Sequence, residues 1–142
     1  MKVKTIGIIH TPFKDKKTAP IQPAKSSASG KVELFKCYAE GLEGLDKFSH
    51  VILIYQFHKS RGFKLKVKPF LDDNYRGLFS TRYPCRPNQI GLSVVSVLKI
   101  RKNVIEVGNI DVLDGTPLLD IKPYVPQFGD NASIGWLKGK IK

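Results

Sequence analysis

The stretch Gly91-Leu92-Ser93-Val94-Val95-Ser96-Val97-Leu98-Lys99-Ile100-Arg101-Lys102-Asn103-Val104-Ile105-Glu106-Val107 decides the fold class. Side chains alternate across a strand, so Leu92, Val94, Leu98 and Ile100 share one face. Lys102-Asn103 makes a turn, since Asn tolerates a left-handed backbone. Val104 to Val107 then returns as a second strand. Further on, Asp114-Gly115 marks another turn, and Leu118 to Ile121 is a short apolar strand. Short strands joined by close turns predict a mainly β barrel.

Toward the N-terminus, Ser49 to His58 carries Val51, Ile52, Ile54, Tyr55 and Phe57, dense enough for a strand buried on both faces. Tyr38, Leu42, Leu45 and Phe48 lie on one stripe and predict one short helix, which Gly41 and Gly44 weaken. Lys31 to Phe35 and Val3 to His10 read as strands. The segment Thr11 to Gly30, rich in Pro, Lys, Ser and Ala, is too long for a turn and is either disordered or a binding loop. Lys64, Lys66 and Lys68 alternate with Leu65 and Val67, a strand with one cationic face; Lys138, Lys140 and Lys142 repeat the pattern. Such faces either track phosphates or protect a sheet edge. There is no internal repeat or composition break, so residues 1–142 form one domain.

Lys and Arg number 24 against 12 Asp and Glu, a net charge of +12. A domain this basic attracts polyanions, nucleic acid above all, unless it is merely a basic soluble protein. No apolar run approaches the ~20 residues of a membrane span. The N-terminus reads straight into a strand pattern, so a cytoplasmic location is expected. Cys37 and Cys85 stand in no CxxC, and His10, His50 and His58 are far apart, so no metal site is expected. G-x-G-x-x-G, the phosphate loop and G-x-S-x-G are all missing, which argues against a Rossmann sheet.

Chemistry concentrates in two segments. In Thr81-Arg82-Tyr83-Pro84-Cys85-Arg86-Pro87-Asn88-Gln89-Ile90-Gly91-Leu92, two prolines stiffen the chain and push Tyr83 and Arg86 toward extended conformations. Guanidinium groups held about 13 Å apart on an extended loop suit carboxylate or phosphate recognition. In Asn109 to Tyr124, Asp111 and Asp114 flank a turn, where Asp is often a turn former. Asp120 sits inside an apolar run. Its carboxylate is either paired, with Lys122 or an arginine, or functional.

Ile6-Gly7-Ile8-Ile9-His10-Thr11-Pro12-Phe13, Phe48-Ser49-His50, the Arg82 to Leu92 motif and Asp114 to Tyr124 resemble, in order, the TsaA-like domain of the TrmO family. The resemblance runs from about Val3 to Val125 and leaves 126–142 as a basic strand or tail. It implies a single-sheet, non-Rossmann barrel that binds S-adenosyl-L-methionine, usually as a homodimer. It implies N6-methylation of threonylcarbamoyl-adenosine beside the anticodon of tRNA. The cofactor positions it implies are Pro20, Ile21, Gln22, Phe57, His58, Arg82, Leu92, Asp111, Val112, Leu113 and Asp114. Within that frame Arg82 would pair with the methionine carboxylate, and Asp111 or Asp114 with ribose hydroxyls. Asp120 and Tyr124, with Lys122, are the candidate acid–base groups. Tyr83 offers a stacking platform; Arg86, Asn88, Lys64, Lys66 and Lys68 suit RNA. Two other readings stay open: a methyltransferase of the same cofactor acting on another RNA or a small molecule, and a non-catalytic RNA-binding barrel.

Overall fold

A computed structural model describes residues 1–15, 27–126 and 131–140. Six strands close one antiparallel barrel: β1 (Gly7–His10), β2 (Ser29–Leu34), β3 (His50–Gln56), β6 (Ile90–Arg101), β7 (Val104–Gly108) and β8 (Thr116–Pro123). Around the barrel the order is β1-β2-β7-β6-β3-β8, and β8 pairs back onto β1. The expected mainly β barrel of one sheet is what forms. Two short strands, β4 (Lys66–Val67) and β5 (Arg76–Gly77), make a separate ladder in the long excursion between β3 and β6.

The barrel interior is filled. Ile9, Val32, Val51, Leu53, Val95, Ile105, Val107 and Leu118 are all fully buried. Six strands enclose a space that side chains occupy completely, so a ligand must bind elsewhere.

Several local expectations need correction. In β6 the buried residues are Gly91, Ser93 and Val95, while Leu92 and Leu98 are exposed. The apolar stripe therefore faces outward, and a register shift between Val97 and Lys99 re-phases the far end, where Ile100 opposes Ile105. At the β6–β7 turn the left-handed residue is Lys102, with φ 55°. Asn103 instead donates its side-chain amide to the Leu34 carbonyl at 2.7 Å. β3 is buried on alternate positions only: Val51, Leu53 and Tyr55 point inward, and Ile52 and Ile54 are half-buried. The expected helix is two 3-10 segments, Lys36–Leu42 and Leu45–Lys47, split at Gly44, whose φ is 85°.

The lysine stripes also differ. Only Lys66–Val67 is strand; Lys64, Lys66 and Lys68 are exposed, and Leu65 is exposed with them. Lys138 and Lys140 follow a 3-10 turn, Gly135–Leu137, and no strand forms there among the described residues. Lys142 lies outside the described residues.

Candidate active site

One cavity, about 900 Å³, opens at the end of the barrel where β3 leaves and β6 enters. It lies in the upper part of the size range of small-ligand sites. Its walls come from the end of β3 and the start of β6, the excursion between them, the β7–β8 loop, and the segment around Trp136.

The sequence places the first wall through Gly91. A Cβ there would stand 2.4 Å from Tyr55 Cε2 and 2.7 Å from Phe57 Cζ, so only glycine lets these two rings lie across β6. The rings meet edge to face, with centroids 5.5 Å apart. The second wall is the proline-framed loop. It is curled rather than extended: Arg86 Nη1 donates to the carbonyls of Thr81 at 3.1 Å and Tyr83 at 2.9 Å. The Thr81 hydroxyl donates to the Leu78 carbonyl at 2.7 Å and accepts from the Tyr83 amide at 3.2 Å. This network fixes the backbone on both sides of Arg82.

The third wall carries the acid. Ser93 Oγ donates to Asp111 Oδ1 at 2.7 Å, and the Tyr55 hydroxyl lies 2.7 Å from the same Ser93 Oγ. With the Ser93 proton committed to the carboxylate, Tyr55 is the donor to Ser93. Burial pushes the Asp111 carboxyl above its ordinary range; the Ser93 hydrogen bond and the positive charge of Arg82 pull it partly back. Burial likewise pushes the Tyr55 hydroxyl up, so it keeps its proton at all working pH. Arg82 and the desolvated Asp111 thus bring opposite charges to a cavity with many aromatic and apolar lining residues, where Lys59 and Arg86 add further positive charge. Burial, and then Lys59, push the His58 imidazole down toward its neutral form.

Of the residues expected from sequence, Phe57, His58, Arg82, Leu92, Asp111, Val112 and Leu113 line this cavity, together with Tyr83 and Arg86. Asp114 does not. Its carboxylate accepts from the Thr11 amide at 2.9 Å and from Lys14 Nζ at 2.7 Å, which ties the chain after β1 to the β7–β8 loop. The hydrogen bond from Lys14 is the main reason its carboxyl lies below the ordinary range. Pro20, Ile21 and Gln22 lie outside the described residues. Asn88, Lys64, Lys66 and Lys68 do not line the cavity.

Asp120, Lys122 and Tyr124 lie apart from it as well. A register shift in β8 sets Asp120 opposite Ile54 and Leu118 opposite Tyr55. Tyr55 points inward, so Asp120 and Ile54 point outward. Asp120 is half-exposed, pairs with Lys122 at 2.9 Å, and borders a different hollow beneath the 3-10 segments. The paired alternative is the one that forms. Tyr124 packs edge-on against His50, with ring centroids 6.2 Å apart.

Sequence reasoning missed the Tyr55–Ser93 relay and the walls formed by Phe70, Phe79, Trp136 and Leu137. Ser93 was visible as a polar residue inside an apolar alternation. Phe70, Phe79 and Trp136 carried no positional signal. Among the described residues, no three His, Cys, Asp or Glu side chains come together as a metal site, and no helix is long and apolar enough to cross a membrane.

Fold and cavity together define a small single-sheet barrel with a large cavity built mainly by loops at one end. The chain belongs to the family described as the tRNA-methyltransferase O N-terminal domain, whose model matches residues 8–130. It is 48% identical, over 97% of its own length and 77% of the relative's, to a probable S-adenosyl-L-methionine-binding protein of Pyrococcus abyssi. It is 39% identical to the tRNA (adenine(37)-N6)-methyltransferase of Escherichia coli, over 85% of this chain and 56% of that one. A crystal structure of TrmO from Pseudomonas aeruginosa superposes with a TM-score of 0.81 at 38% identity, covering 95% of this chain and 61% of that chain. The chain therefore spans about three fifths of the solved TrmO structure it matches.

Proposed function

We propose that this chain binds S-adenosyl-L-methionine in the cavity and is an RNA N6-adenine methyltransferase acting on tRNA. One observation carries the reading: Arg82 and the desolvated Asp111 bring opposite charges to a largely aromatic cavity in which Asp111 is the one carboxylate among the described lining residues. That donor set fits the cofactor, which carries a carboxylate, an ammonium group, ribose hydroxyls, an adenine ring and a sulfonium. Arg82 offers a planar fork for the carboxylate. Asp111 accepts hydrogen bonds from the ammonium or the ribose. The rings of Tyr55 and Phe57 face a flat or cationic moiety.

When bound, the cofactor supplies a methyl group activated by the sulfonium. The protein's part is alignment: sulfur, methyl and acceptor nitrogen must lie in line, and positioning supplies much of the acceleration. The rigid Thr81–Arg86 network and the Tyr55–Ser93–Asp111 relay hold two walls of the cavity fixed for that purpose. Tyr83 and Arg86 border the cavity and face the acceptor RNA, with Asn88 and the exposed Lys64, Lys66 and Lys68 toward its phosphates.

The finer acceptor is threonylcarbamoyl-adenosine next to the anticodon. In support, Arg86 puts a second guanidinium at the same cavity, suited to the additional carboxylate that the threonyl group brings. The working form is a homodimer in the cytoplasm. Support for the dimer comes from the outer barrel face, where Ile52 opposes Val94 and Ile54 opposes Leu92 in one continuous apolar patch.

Calorimetric titration with S-adenosyl-L-methionine, beside Arg82→Ala, tests the reading. Saturable binding lost in the variant, and methyl transfer to unfractionated tRNA by the parent protein, are expected. A folded protein that binds no cofactor at millimolar concentration removes the methyltransferase reading and favours the RNA-binding barrel.

A further inference from the structure

The described segment 131–140 folds back onto the excursion between β3 and β6, and three contacts pin it. Lys140 Nζ pairs with Asp72 Oδ1 at 3.1 Å. Trp136 Nε1 donates to the Ser80 carbonyl at 2.7 Å. The Arg76 guanidinium lies over the Trp136 ring, 5.6 Å from its centroid. Asp72 is the node: its side chain is only 2% exposed, it also pairs with Arg76, and these cations hold its carboxyl well below the usual range. A carboxylate buried this deeply is retained only with good partners. Its partners here tie the excursion to the segment that carries Trp136.

The pinned Trp136 and Leu137 line the cavity of the site. Ser80, which holds the indole, is two residues from Arg82 in the chain, and all three residues line the cavity.

Resting on the proposed methyltransferase reading, we infer that Trp136 is a further binding residue of this cavity, packing on an adenine ring, and that Asp72 and Lys140 are its positioning residues. Cofactor and acceptor nucleotide both bring an adenine, and a large flat side chain on a cavity wall is the common solution for holding one. The contact needs no hydrogen-bonding group on the ring face, which leaves the indole N–H free to anchor the wall to Ser80.

Trp136 is the only tryptophan of the chain, so its fluorescence reports the cavity directly. The experiment titrates the full protein with S-adenosylhomocysteine and, separately, with an anticodon stem-loop RNA. Calorimetry run in parallel establishes whether each binds at all. A Trp136 emission change that saturates with S-adenosylhomocysteine assigns the ring to the cofactor. A change with the stem-loop alone assigns it to the acceptor. Binding seen by calorimetry with no emission change in either titration overturns the inference. Absence of binding by calorimetry overturns the methyltransferase reading instead.

Trp136→Ala is expected to weaken the ligand that moves the emission by roughly 5- to 150-fold, the range for losing one base–aromatic stack. Lys140→Ala removes one pin and leaves the Asp72–Arg76 pair intact, so it is the gentler test of positioning. It should shift the unliganded emission to the red and weaken the same ligand severalfold. An unchanged spectrum and unchanged affinity in Lys140→Ala refute the positioning role.

Discussion

Ser93→Ala tests whether the relay beside the cavity is coupled or merely adjacent. Ser93 Oγ accepts from Tyr55 and donates to Asp111, both at 2.7 Å. Tyr55 is 3% exposed, so the substitution strands its hydroxyl where water is scarce. An orphaned buried donor costs about 1–3 kcal/mol. Tyr55→Phe behaves differently. It deletes the outer donor and leaves the Ser93 proton on Asp111, so it should cost only the net worth of one hydrogen bond, about 0.5–1.5 kcal/mol. In the Ser93→Ala background, Tyr55→Phe removes the very group that was orphaned, and its cost should fall to zero or reverse. The four proteins of the cycle are compared by urea and thermal unfolding at pH 7. A loss of about 2 kcal/mol lowers Tm by about 4–8 °C for a chain of this size. The expected coupling is at least about 1 kcal/mol. If the two costs add within about 0.5 kcal/mol, the sites are independent and the relay is not a unit.

Three other outcomes follow from the site. Asp111→Asn should raise Tm at pH 7: folded Asp111 keeps its proton to higher pH than in the unfolded chain, so stability declines as pH climbs from near 3.8 through the folded value, and the variant escapes that decline. Its advantage should vanish below pH 3.8, and a lower Tm at pH 7 contradicts desolvation as the dominant cause. Phe79→Ala should weaken RNA binding by roughly fivefold or more, the low end for one stack; the ring is 73% exposed and lies under Arg86 at 5.8 Å, so folding should not suffer. Equal RNA affinity in a filter-binding assay counts against a stacking platform there. Asp120→Asn should retain cofactor binding and turnover within about fivefold, because its carboxylate lies outside the cavity and pairs with Lys122 in a surface contact that contributes at most about 1 kcal/mol; a large drop in kcat with intact binding reinstates Asp120 as the proton acceptor.

The barrel was legible in sequence because strand alternation and turn residues are local signals. β7, β8 and the turn between β6 and β7 all fall where short-range patterning puts them. Facing was less legible. The stripe Leu92, Val94, Leu98, Ile100 is the more apolar side of β6, yet the core takes Gly91, Ser93 and Val95. Ring packing of Tyr55 and Phe57 over Gly91 decides that facing, and no window of β6 alone contains those rings. The surroundings of Asp120 were hard to read for a related reason. Its apolar neighbours suggested burial, but the register shift in β8 turns the carboxylate outward beside Lys122. The cavity-lining residues around Pro84 were visible because proline and arginine together are locally unusual. Trp136 was not, because its part depends on Lys140 meeting Asp72 across 68 residues of sequence.

Where the site lies follows from how the barrel closes. Six strands leave no interior volume once Ile9, Val51, Leu53, Val95 and Leu118 are packed, so the core cannot host a ligand. The cavity is therefore displaced onto connections, and connections must be stiffened locally. Each is stiffened by its own device: Asp114 ties the β7–β8 loop to Thr11 and Lys14, Arg86 locks the proline loop onto Thr81 and Tyr83, and Asp72 clamps the 131–140 segment. Because these devices share no side chain, one loop can change without unsettling the others or the barrel. The wall at Ser93 and Asp111 hangs on β6 itself and on the loop just after β7, the most rigid attachment available. Arg82 and the aromatic walls of Phe70 and Phe79 hang on the excursion. In this architecture the excursion can vary in sequence while the wall built on the barrel strands stays the same.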